Sequence, residues 1–140
     1  MLKGHLLFQD AEYLNMFQKG YAAVMKHQRK GPWYADVHMI SGQISQPVFN
    51  ALAAFWPGLQ SMIGHFSEGA KTLDAYFEVW RRFGFTPEGF NFVSKEVQEG
   101  QAGYPLRPEM AESAWYMYRY ALPHTHTAIN PQFAKIDLDP

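Results

Sequence analysis

The chain has 140 residues, enough for one small domain or a piece of a larger one, and its net charge of −1 gives no broad attraction to nucleic acid or to an anionic membrane. Charged residues are 18% and aromatics 16%, so much apolar area must be buried, yet a chain this short hides only about two thirds of its unfolded surface. Some aromatic surface is therefore expected to lie against a partner or further chain, and with no cysteine there is neither a disulfide framework nor a thiolate metal site.

MLKGHLLFQDAEYL at the start lacks the apolar length and cleavage pattern of a signal peptide, and no run approaches the ~18 apolar residues of a membrane span. Residues 2–8 read as the end of a helix. The spacing of Tyr13, Leu14, Phe17, Tyr21, Val24 and Met25 predicts a helix over 11–29, with Asp10 as N-cap and Gly31-Pro32 as its stop. WYADVHM (33–39) is β-rich and predicts a short strand or extended segment. In the stretch that follows, Pro47 reads as a helix opener and Pro57-Gly58 as an interruption, predicting two short helices bent at FWPG. A third amphipathic helix is expected over 67–83, capped by Ser67 and ended by Gly84. Residues 84–107 form a long connector with a β-like FNFV, and connectors beyond about 12–15 residues are often functional. The last helix starts near Pro108 and runs to about Tyr120; residues 121–140 carry prolines and no helical period, and read as an irregular tail. The sum is an all-α chain of helical hairpins joined by β-like links, which suggests an α/α solenoid or toroid.

Two stretches concentrate chemistry. In YPLRPEMAES, Pro108 opens the helix, so Glu109 falls in a first turn whose N-terminus favours an anion. That suits a base or a cation ligand. Glu112 lies at i+3 on the same face, and Arg107 can pair with either glutamate or grip a polar ligand through its fork. Ordinary helix-start chemistry also places acids there. In GFTPEGFN, Glu88 follows Pro87, a spacing that turn formation explains equally well. Phe55, Trp56, Phe90, Phe92 and Tyr104 flank these stretches; aromatic faces can stack on sugars, although core is their commoner fate. His124 and His126 form a weak metal signal without nearby acids, and His38 and His65 stand alone. No phosphate-binding glycine loop, nucleophilic serine motif or basic stripe is present.

NALAAFWPGLQ, RRFGFTPEGFNF and YPLRPEMAESAWYMYR, in that order, resemble the successive signatures of glycoside hydrolase family 47, the class I α-1,2-mannosidases, and most of all its ER degradation-enhancing α-mannosidase-like branch. The resemblance covers residues 1–120, which would form a partial domain. It implies part of an (α/α)7 barrel, an incomplete toroid here, and inverting hydrolysis of α-1,2-linked mannose on high-mannose N-glycans with a bound Ca²⁺. Glu109 matches the general base. Arg107 and Glu112 match pocket residues, and Glu88 matches a carboxylate lining the sugar and calcium site, so Glu88 and Glu112 are candidate calcium-site lining. The implied setting is glycoprotein quality control in the endoplasmic reticulum lumen, with misfolded glycoproteins and the remaining barrel segments as partners.

The chain also departs from the family. The acid glutamate and a further aspartate lie upstream of Met1 in the family's order, and the calcium-binding threonine lies far downstream. Ala51 stands where processing mannosidases carry a pocket histidine. The expectation is that this chain is inactive alone. The alternative is a non-catalytic helical module that binds glycans or glycoproteins.

Overall fold

The computed structural model describes residues 1–121. The chain order is α1 (Leu2–Phe8), α2 (Ala11–His27), β1 (Arg29–Lys30), β2 (Trp33–Tyr34), β3 (Asp36–Val37), β4 (Ile44–Gln46), β5 (Val48–Asn50), a 3-10 turn (Ala51–Phe55), α3 (Trp56–Met62), α4 (Phe66–Phe83), β6 (Gly89–Asn91), β7 (Glu96–Val97) and α5 (Glu109–Ala121). The described part is mainly helical, as expected, and its links pair into small antiparallel ladders: β1 with β2, β3 with β4, and the three-stranded order β5-β6-β7.

Local chemistry explains the ends of the elements. Asp10 accepts from the Glu12 amide at 2.8 Å, as an N-cap should. Gly84 closes α4 in the left-handed region at φ 78, its amide bonding the Trp80 carbonyl. Ser67 is not the cap of α4: the helix begins one residue earlier, at Phe66, and His65 holds the cap position without a side-chain bond. Instead the His65 ring meets the Tyr21 hydroxyl at 2.9 Å, tying α4's start to α2.

Pro47 does not open a helix. It stands between β4 and β5, and its carbonyl accepts from Phe92 N at 3.0 Å. A ladder position that needs only the acceptor tolerates the missing donor. The helix begins later than expected: Asn50 caps the 3-10 turn through the Leu52 amide, and Pro57 sits in the first turn of α3, where its absent N–H costs nothing.

Two apolar clusters hold the elements together. One gathers Phe49, Ala54, Tyr76, Val79, Phe90 and Met110 beneath the β5-β6-β7 sheet, with Trp33 and Trp80 at its margin. The other gathers Leu2, Phe17, Tyr21, Met62 and Ile63 between α1, α2 and α3. Helix α5 belongs to both, giving Met110 to the first and packing Tyr116 and Tyr120 against the second. It lies close on α3, where a Cβ added at Gly58 would stand 3.1 Å from the Ser113 Cα. The five connector aromatics divide accordingly. Phe90 is core, Phe92 stacks on Trp33, Trp56 stacks on Tyr34, and Tyr104 lies between Trp80 and Phe85; Phe55 remains exposed. The tail with His124 and His126 lies outside the described residues.

Candidate functional site

The connector is fastened before it reaches α5. The Glu88 amide donates to the Gly103 carbonyl, and the Glu88 carbonyl accepts from the Ala51 amide, each at 3.2 Å. Glu88 thus joins the lead-in of α5 to the start of the 3-10 turn. Thr86 and Pro87, just ahead of it, are buried, so the turn that presents Glu88 is rooted in the interior.

Arg107 meets Glu88 and neither of the glutamates that follow it. Nε donates to Oε1 and Nη2 to Oε2, both at 2.7 Å, a two-pronged contact that fits the planar guanidinium fork. Sequence spacing could not reveal this pair, because the partners are brought together by the β5-β6 ladder and the Glu88–Gly103 bond. The Arg107 hydrogen bonds hold the Glu88 carboxyl below its ordinary value. Glu88 in turn raises the guanidinium's value, with a smaller attraction from nearby Glu109. The side chains are 33% and 27% exposed, so solvent screens the attraction and the pair orients more than it stabilises. Leu106, immediately before Arg107, takes the left-handed region at φ 54 and is largely exposed. That backbone state costs a non-glycine residue about 1–2 kcal/mol, and it stands next to the candidate site.

The sign of a pH effect follows from Glu88. Its folded-state value is lowered from 4.5, so its contribution is fully present above that pH and is lost as pH falls through the lowered value. Thermal melts of the parent chain should therefore lose stability on acidification below this point more steeply than those of Glu88→Gln. Parallel acid profiles would show that the pair contributes nothing to folding.

Glu109 is the first residue of α5, directly after Pro108, whose carbonyl accepts from Glu112 N at 2.8 Å. The side chain is half-buried, and its Oε2 is fully buried with no hydrogen-bond partner among the described residues. Buried polar atoms in folded proteins nearly always have partners, so this oxygen calls for a donor from elsewhere. Glu112 takes a different course. It is exposed and pairs with Lys3 of α1 at 2.9 Å, a surface contact worth about 0–1 kcal/mol.

Among the described residues no three His, Asp or Glu side chains come together in a way that would hold a metal. Both Glu88 oxygens face Arg107 and Glu112 faces Lys3, so these carboxylates do not form a calcium site by themselves. A groove of about 680 Å³ lies apart from these residues, between α2, the β1-β2 hairpin and α4.

Comparison with known proteins gives a consistent result. The pattern of Glycosyl hydrolase family 47 matches residues 1–130. Over 119 residues, 85% of this chain, the sequence is 50% identical to Alpha-mannosidase I MNS4 of Arabidopsis thaliana, covering 19% of that protein. It is 43% identical over 119 residues to ER degradation-enhancing alpha-mannosidase-like protein 2 of Homo sapiens, covering 85% of this chain and 21% of the human protein. The chain thus spans about a fifth of the length of these relatives. With the family pattern running through the helices and turns that carry Glu88, Arg107 and Glu109, this chain belongs to glycosyl hydrolase family 47.

Proposed function

We propose that residues 1–120 form the general-base side of an α-1,2-mannosidase-like (α/α)7 barrel that acts on high-mannose N-glycans in ER-associated glycoprotein quality control. The Oε2 of Glu109, buried without a partner among the described residues, carries this reading. An ionised carboxylate at a helix start can take the proton of a water that attacks the anomeric carbon. Arg107 and Glu88 then supply a fork and an acceptor edge for sugar hydroxyls, and Glu112 stands further out as a pocket residue. The family's Ca²⁺ would support sugar binding, but the described carboxylates do not by themselves form its site. Inversion needs a second carboxyl about 6.5–9.5 Å from the base, with water between them. The reading assigns no such acid among residues 1–120, so hydrolysis is expected to need the remaining barrel segments. The alternative, a non-catalytic glycan-binding module, draws support from the solvent-facing Glu88–Arg107 pair, which is already arranged to meet hydroxyls.

Titration with α-1,2-mannobiose followed by amide NMR tests the binding part. Shifts are expected at Glu88, Arg107 and Glu109, and Arg107→Ala should weaken the response roughly fivefold through the loss of about 1 kcal/mol of hydrogen bonding. Shifts confined to other parts of the chain would sink the reading. Glu109→Gln separates function from structure. Replacing this half-buried carboxyl, one oxygen of which lacks a donor among the described residues, should leave stability within about 1 kcal/mol of the parent, or raise it. A larger loss would make Glu109 a structural helix-start acid. Calcium-dependent release of mannose by residues 1–140 alone would overturn the expected inactivity.

A further inference from the structure

Helix α5 is apolar on two opposite sides. Its inner side is filled: Met110 and Ser113 are buried, Met117 reaches Gly69 of α4, and Tyr116 and Tyr120 join the second apolar cluster. Its outer side carries Ala111, Ala114, Trp115 and Tyr118. All four are exposed, the two rings by 56% and 62%. Their positions follow the i, i+3, i+4, i+7 spacing of a helix-packing stripe. Charge is kept to one border of that stripe, where Glu112 and Arg119 stand two turns apart. From this border the Arg119 guanidinium reaches over the Trp115 ring, 5.6 Å from its centroid.

The stripe has a shape as well as a polarity. Ala111 and Trp115 form one i, i+4 row, and Ala114 and Tyr118 form the next, each beginning small and ending bulky. A neighbouring helix can come close to the backbone over the alanines and must carry small side chains over the rings. A helix at the surface of a domain needs only one apolar side, whereas one that is apolar on two sides is built to be flanked on both.

We infer that the Ala111–Tyr118 side of α5 is the seam for a further helix of family 47 chain lying outside residues 1–140, with small side chains over Trp115 and Tyr118 and larger aliphatic ones over Ala111 and Ala114. The relatives point to this occupant. The match takes in 85% of this chain but only 19% and 21% of the two relatives, so about four fifths of each lies beyond it. A second copy fits less well. A stripe of about two turns, roughly 11 Å long, falls short of the ~1,200–2,000 Å² that a stable association of separate chains buries. Helices within one domain pack over stripes of this size. Family membership is sufficient for this reading, and the glycoside chemistry takes no part in it.

A chimaera tests it, in which the 119-residue stretch matched in the Arabidopsis relative is replaced by the corresponding residues of this chain. The chain has no cysteine, so the thiol of Tyr118→Cys can be followed by alkylation and peptide mass spectrometry. It should react roughly tenfold more slowly in the chimaera than in residues 1–140 alone, because a covered thiol is reached only through local opening. Trp115→Glu should lower the urea midpoint of the chimaera, where it places an unpaired charge in the seam, and leave that of residues 1–140 nearly unchanged. Equal alkylation in the two proteins overturns the inference, as does a chimaera that circular dichroism shows to be unfolded. Protection already present in residues 1–140 would assign the face to residues 122–140, and Trp115-dependent self-association in sedimentation velocity would assign it to a second copy. Either result also overturns it. None of these readouts involves mannobiose, so the glycan titration stands or falls separately.

Discussion

Replacing Tyr76 with alanine is expected to cost about 3–5 kcal/mol, while replacing it with phenylalanine should cost nothing or stabilise by up to about 1 kcal/mol. The ring is wholly buried in α4, stacked on Phe49 with centroids 4.1 Å apart and tilted against Trp33 at 5.5 Å. Truncation removes the centre of the cluster that joins the β5-β6-β7 sheet to α4 and α5, and its neighbours are too tightly interlocked to collapse into the space. The loss would be a large share of the ~5–15 kcal/mol that holds a typical domain folded. The hydroxyl tells the opposite story. It is buried with no partner among the described residues, and burial pushes the phenol well above its ordinary value. Losing it removes a desolvated group and leaves the stacking intact. Urea unfolding of the two variants checks both halves, and a phenylalanine variant weaker by more than about 1 kcal/mol would show that the hydroxyl has a partner after all.

Ser113→Ala should be nearly as damaging, at about 2–4 kcal/mol, even though it deletes one atom. The side chain is buried on α5 and connects three elements. Its Oγ accepts from the Gly58 amide at 3.0 Å and donates to the Ala54 carbonyl. Alanine would leave a donor and an acceptor unpaired where α3 and the 3-10 turn meet α5, at a crossing so close that a Cβ added at Gly58 would stand 3.1 Å from the Ser113 Cα. Ser113 also lies one helical turn beyond Glu109, on the same side of α5. The substitution should therefore blunt the mannobiose response at Glu109 in the same sample that shows the lowered urea midpoint. An unchanged midpoint would mean that water replaces the hydroxyl and the crossing is looser than its contacts imply.

Helices α2, α4 and α5 were legible because each buries one stripe, and a buried stripe imposes its period on the local sequence. Asp10 and Gly84 were legible because capping is decided within a few residues. Val48–Asn50 was not. It pairs with Gly89–Asn91, far away in the chain, and Pro47 beside it mimics a helix start. A local pattern carries no record of a distant partner. The same reason hid the partner of Arg107. Its fork was legible, but the acid it grips depends on a sheet that closes a long connector. Ser67 misled because a serine before an apolar run resembles a cap, whereas α4 begins at Phe66 and the cap position falls to His65, whose ring is bonded to the Tyr21 hydroxyl. Glu109 was named from its place after Pro108. That one of its oxygens would be buried without a donor depends on how α5 seats against its neighbours.

The turn between β6 and β7 has a wider implication. Val93 is exposed there, and Lys95 is held in the left-handed region at φ 60. This turn divides the chain without dividing the core, since Phe49, Tyr76 and Phe90 come before it, and Met110 and Ser113 after. Neither portion can complete its interior unaided. Severed at Lys95, the two peptides would be obligate complements, and the carboxylate of one would still be waiting for the guanidinium of the other.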